Sequence, residues 1–269
     1  MVLARWIRAA LLAGAFAGAS LVAGAPAGCA ADEGTTGKRV ALELRVTGSA
    51  GARAPFTNAT GWTVTLDRAL LATGPMTFFD GATIFSRAPA RGLSFGGRAA
   101  FAHPGHYVPG EARGEVGVAS SVDLRGDTVV GAGAGVSGVV RSATFRFGAP
   151  PSGPFAGELA GNVVVLEGTA VRGPETRRFR AEVSASEVLD TAGAPAVEGC
   201  PFAETDVEGD GIVTLTVKVE VWFDQVDFAD VAPGAAGAPA VLAPGSFARN
   251  ALTRGMKAGT PYAFAFRAR

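Results

Sequence analysis

Both histidines of the chain fall in one short stretch, His103-Pro104-Gly105-His106-Tyr107. Imidazole suits Zn²⁺ or Cu²⁺, and a turned H-x-x-H points two rings at one ion. Pro104-Gly105 and Pro109-Gly110 supply the turn chemistry on either side. Glu111 and Glu115 follow closely, and Glu111 is the candidate third donor beside His103 and His106. Two histidines alone do not complete a structural zinc site, which usually has four ligands. The competing reading is a surface turn without metal.

Other clusters are weaker. Asp206-Val207-Glu208-Gly209-Asp210-Gly211 resembles the first half of a calcium loop, with Asp206, Glu208 and Asp210 as alternating donors. Position twelve is Val217 and a strand is expected to follow, so this is not an EF-hand. Asp224, Asp227 and Asp230 recur every third residue. Gly133-x-Gly135-x-x-Gly138 has the spacing of a dinucleotide fingerprint. That motif works only between a strand and a helix, and Val139, Val140 and Phe145 favour strand. Gly92-Leu93-Ser94-Phe95-Gly96 has the spacing of a nucleophile elbow. No carboxylate stands between Ser94 and the histidines, so the ordered triad is absent. With no nucleophile–base–acid set, catalysis is not the expectation.

These residues must be positioned by strands. Val40, Leu42, Leu44 and Val46 alternate with polar neighbours. So do Trp62–Leu66, Phe179–Val183, Val213–Val221 and Tyr262–Phe266. Each reads as a strand with one dry face and one wet face. Further strands are expected near 75–79, 115–124, 127–131, 139–147 and 162–172. One helix is expected near the C-terminus, with Ser246 as N-cap, running from Phe247 to about Gly255. Residues 231–246 read as a long loop. No strand–helix alternation appears, so the fold class is all-β: an antiparallel β-sandwich of about ten strands with one short C-terminal helix. By phase, Trp62 and Tyr262 belong to the core and Trp222 faces solvent, where it could stack on a sugar. Arg177, Arg178 and Arg180 read as a solvated strand edge.

The N-terminus is a different kind of segment. Arg5 and Arg8 precede an uncharged apolar run over 9–25 and then small residues. This is an export signal and lies outside the fold. Gly28-Cys29 resembles the end of a bacterial lipobox, which would make Cys29 the lipidated first residue. Ala25-Pro26-Ala27 fits ordinary cleavage as well. In that case Cys29 is free to pair with Cys200. The expected organisation is signal 1–28, flexible tether 29–37 and β domain 38–269.

The 24 basic and 24 acidic residues balance, and loss of Arg5 and Arg8 leaves a slightly negative chain. A nucleic-acid partner is not expected from such a balance. Several short pieces resemble uncharacterised lipoproteins of high-GC Gram-negative bacteria. They are Gly61-Trp62-Thr63-Val64-Thr65-Leu66, Val140-Arg141-Ser142, Leu166-Glu167-Gly168-Thr169-Ala170 and Val221-Trp222-Phe223 with Val226-Asp227-Phe228. The resemblance implies an envelope-anchored β domain and carries no catalytic residues. The functional expectation is a binding module for Zn or Cu (Ca second), held to a membrane through Cys29. It would be displayed in the periplasm or on the outer membrane, or released as a soluble periplasmic or secreted protein. The alternative is a structural or interaction protein with an envelope protein or glycan as partner.

Overall fold

Alternating apolar residues build fourteen strands in the computed structural model, which describes residues 37–83, 107–235 and 237–269. In chain order these are β1 (Arg39–Gly48), β2 (Phe56–Thr57), β3 (Thr63–Thr73), β4 (Met76–Phe79), β5 (Ala112–Val116), β6 (Ser120–Asp123) and β7 (Asp127–Val136). They continue as β8 (Gly138–Arg146), β9 (Val164–Arg172), β10 (Glu175–Val183), β11 (Ala196–Val207), β12 (Gly211–Val217), β13 (Ala240–Val241) and β14 (Tyr262–Ala268). Three α-helices accompany them among the described residues: α1 (Ala156–Leu159), α2 (Val219–Phe223) and α3 (Phe247–Met256). The described residues belong to one compact unit.

The chain is mostly β, as its periodicity implies, but the expected pair of open sheets is not what forms. Eight strands close into a barrel in the order β1-β12-β14-β11-β8-β4-β5-β7. The remaining sheet runs β13-β10-β9-β3-β2, with β6 beside β3. Closure depends on parallel pairing of β1 with β12 and of β11 with β14, contacts between strands far apart in sequence. Closing a sheet removes its exposed edges. Residues from all eight strands, from Val40 in β1 to Phe266 in β14, line the lumen, which retains a cavity of only about 10 Å³. That is room for about one water, so the barrel interior is a packed core. A single apolar cluster continues from it into the second sheet.

Ser246 caps α3 as expected, its side chain accepting from the Arg249 N–H. Leu252 and Met256 are buried beneath the helix. The strand expected over 213–221 stops at Val217, and α2 follows. This change of period turns Trp222 inward, where it is fully buried, so the exposed aromatic platform expected there does not exist. The 115–124 run divides into β5 and β6, and the described residues of 231–246 contain one short strand, β13. β11 is the longest strand and was not expected from the sequence, because Gly199, Pro201 and a polar run from Glu204 to Asp206 interrupt its pattern.

Candidate functional site

The segment that carries His103 and His106 connects β4 to β5. Both histidines lie outside the described residues, as do Ser94 and Cys29. What the structure describes is the base from which that connection departs. Asp80 directly follows β4, and Arg113 is the second residue of β5. Arg113 Nη2 and Nε donate to Asp80 Oδ2 at 2.7 and 3.1 Å. The other Asp80 oxygen accepts the Glu111 N–H at 2.8 Å, and the Gly81 N–H donates to the Pro109 carbonyl at 2.8 Å. Gly110 makes this possible. Its φ is +77°, and a Cβ there would collide with Asp80 Oδ1. Burial raises the Asp80 carboxyl pKa, but the Arg113 and Glu111 hydrogen bonds and the Arg113 and Arg141 charges outweigh it. The group stays below the usual carboxylate value, and the clamp is ionic at neutral pH.

The returning chain is pinned a second time, one residue after His106. The Tyr107 hydroxyl lies 2.5 Å from Ser142 Oγ, and Ser142 donates to the Gly81 carbonyl. A serine has one proton to give, so the tyrosine is the donor in this chain. The Tyr107 ring packs over Gly199. Burial raises the Tyr107 pKa, which keeps the hydroxyl protonated.

Of the expected ligands, only Glu111 is described at this site. Its side chain is 70% exposed and pairs with Arg113 at 3.2 Å. Glu115 pairs across β4 and β7 in the barrel wall. Asp206, Glu208 and Asp210 are not gathered into a cage. Asp210 Oδ1 accepts the Ala41 N–H at 2.8 Å, so this carboxylate ties the chain beyond β11 to β1. Among the described residues no three His, Cys, Asp or Glu side chains stand together as metal donors. The Asp224, Asp227 and Asp230 series is also structural where its bonds are described. Asp227 Oδ1 accepts from the Ala229 N–H and from Trp62 Nε1, each at 2.9 Å. Arg172 lies 4.5 Å over the Trp62 ring and 3.5 Å from the same Asp227 oxygen. The Ala229 and Trp62 hydrogen bonds hold the Asp227 pKa below its ordinary value.

The glycine fingerprint is a strand feature. Gly133 and Gly135 lie in β7, Gly138 opens β8, and no helix follows. A Cβ on Gly135 would sit 2.6 Å from the Arg113 carbonyl. Close packing of β5 on β7 therefore explains the small residues without a nucleotide. Arg180 is ion-paired with Glu167 and Glu182 and is not simply solvated.

Cys200 is a free, fully buried thiol whose Sγ donates to the Val197 carbonyl at 3.3 Å. Burial pushes its pKa up to about 12. A thiol this protonated and shielded is a poor nucleophile. Ellman's reagent is expected to leave Cys200 unmodified in the native protein and to titrate it in urea. Rapid labelling without denaturant would contradict the burial.

No family model and no curated protein matches the chain. Among solved structures it is similar to MbnP from Methylosinus trichosporium, with 11% identity and a TM-score of 0.39. The match covers 87% of this chain and 100% of that one. The likeness is too distant to carry anything over.

Proposed function

We propose that the chain is an exported lipoprotein, anchored through Cys29, that acts as a binding module for Zn²⁺ or Cu²⁺ at His103 and His106, with Glu111 as a third donor. The observation that carries this reading is the gathering of both histidines within four residues of one connection. The doubly tied base of that connection supports it. A ligand loop rooted at two fixed points loses less freedom when it closes on an ion. Glu111 is available at small cost, because an exposed ion pair is worth about 0–1 kcal/mol. Arg113 would keep Asp80 as its partner if Glu111 turned to a metal.

Calorimetry of the purified protein with Zn²⁺, Cu²⁺ and Ca²⁺ tests the proposal. Cu²⁺ or Zn²⁺ is expected to bind, and His103→Ala/His106→Ala is expected to weaken binding at least tenfold, about 1.4 kcal/mol. Glu111→Gln should weaken it less. Ca²⁺ binding that survives the double variant would move attention to Asp206, Glu208 and Asp210. If no ion binds, the metal reading fails, and an interaction protein with an envelope protein or glycan partner takes its place.

A further inference from the structure

The barrel end that holds the base of the β4–β5 connection is also the end where the chain enters the barrel. β1 starts there at Arg39, paired with Val136 at the end of β7. β12 starts and β14 finishes at the same rim, where Leu42, Gly211 and Ala268 lie side by side. Short contacts cross this rim. The Lys38 N–H donates to Ser137 Oγ at 2.8 Å, and the Ser137 N–H donates to the Lys38 carbonyl at 2.7 Å. A Cβ on the next residue, Gly138, would lie 3.8 Å from Arg113 Nη1, and Arg113 grips Asp80. On the other flank the Arg269 N–H donates to the Asp210 carbonyl at 3.2 Å, and the Ala41 N–H donates to Asp210 Oδ1. The entry of the chain, the turn at 208–210 and the root of the connection therefore share one face. α2 and α3 belong to the opposite end. There α2 follows β12, α3 precedes β14, and Val217 pairs with Tyr262.

Chain length decides what this face can meet. Eight residues, Ala30 to Gly37, lead from Cys29 to the start of the barrel. They span at most about 29 Å, at about 3.6 Å each. β1 has ten residues. At about 3.3 Å per residue and a strand tilt of about 40°, the barrel is roughly 25 Å tall. A helix packed on its far end adds about 10 Å. Turning α3 toward a membrane would thus place Gly37 roughly 35 Å from it, beyond the reach of the segment. Charge does not choose the face. Lys38 and Arg39 are exposed at the entry, but Asp206, Glu208 and Asp210 stand exposed around the neighbouring turn and offset them.

We propose that this rim is the membrane-facing surface of the protein, held against the lipid headgroups of the leaflet that carries Cys29. The β4–β5 connection then departs toward the bilayer, and α3 is the part farthest from it. The inference rests on the lipid anchor of the proposed function and adds to it the surface that meets the lipid.

The test uses the full chain, purified with its lipid and reconstituted into vesicles of phosphatidylcholine and phosphatidylglycerol that carry an acceptor dye on the headgroup. A donor dye is attached to a Glu208→Cys variant at the rim or to an Asn250→Cys variant on α3. Both positions are exposed, and the buried Cys200 does not compete for the label. Circular dichroism verifies that each variant is folded. If one is not, Gly209→Cys or Lys257→Cys takes its place at the same end. Energy transfer is expected to be severalfold stronger from position 208 than from position 250, and high salt should leave the difference in place. Equal transfer, stronger transfer from 250, or a difference that high salt abolishes overturns the proposal and leaves the anchor intact. A full chain that does not float with the vesicles, or floats no better than a Cys29→Ala variant, overturns the anchor and the proposal with it.

Discussion

Glu187→Gln is expected to lower the free energy of unfolding by about 3–5 kcal/mol, the range for breaking a buried ion pair from one side. Arg249 lies on α3 and is 1% exposed. Its Nε and Nη2 grip the two Glu187 oxygens at 2.8 and 2.9 Å, and Nη2 also donates to the Glu182 carbonyl. A glutamine cannot neutralise the guanidinium, so a full positive charge would remain inside the protein. The Arg249 hydrogen bond is the largest influence on Glu187 and holds its pKa at about 2, below the ordinary 4.5. A carboxylate with a depressed folded pKa stabilises fully above its unfolded value and loses that contribution as pH falls through the folded one. The native protein should therefore lose stability between about pH 4.5 and pH 2, and the variant should lose less over that window. Urea denaturation at pH 7, 3.5 and 2 measures both effects. A stability gap that stays the same at all three values would show that the charge is not responsible. Replacing both partners by methionine should recover much of the loss, since a packed apolar pair is often as stable as the ion pair.

Phe179→Ala should cost a similar amount, about 3–5 kcal/mol, through loss of buried apolar surface and the cavity left behind. Phe179 is fully buried in β10. Its ring lies 5.5 Å from Phe223 of α2 and 5.0 Å from Phe228, measured between centroids. It is the point where the second sheet meets the segment after β12. The cavity has little means of collapse. Gly168 is directly opposite on β9 and leaves only backbone there, with room for the Phe179 ring. Phe179→Leu should cost less, because more of the volume stays filled. Chemical denaturation of both variants measures the ranking. A loss below about 1 kcal/mol for the alanine variant would mean that α2 moves in to close the gap.

Much of the architecture was legible in the sequence because period two reports which face of a strand is dry. β1, β10 and β14 follow directly from it, and Ser246 with its helix follows from capping chemistry. The same signal is blind to which strands are neighbours. Nothing in Val40–Val46 or Val213–Val217 indicates that the two runs pair in parallel, and barrel closure turns on that pairing. β11 was hidden for a different reason. Its ladder with β8 slips between Val197 and Cys200 and again between Pro201 and Thr205, so its inward positions do not keep a fixed alternation. Trp222 escapes the period-two phase because the chain leaves the strand at Val217 and continues as a helix. At the candidate site, the turn pair Pro109-Gly110 was visible beforehand. Asp80 was not, because its partners Glu111 and Arg113 come some thirty residues later and a lone acidic residue at a strand end has no signature.

The clamp between Asp80, Gly81, Pro109 and Arg113 also separates two kinds of constraint on this chain. Joining two fixed points costs an entropy that rises only with the logarithm of the length between them, about 0.6 kcal/mol per doubling. The barrel holds its two points with its own hydrogen bonds. A change in the number of residues between 84 and 106 therefore alters the entropy of closing this connection only slightly. Every group of the clamp lies outside 84–106, so the hold on the two ends of the connection is written beside β4 and β5 and not into the stretch between them.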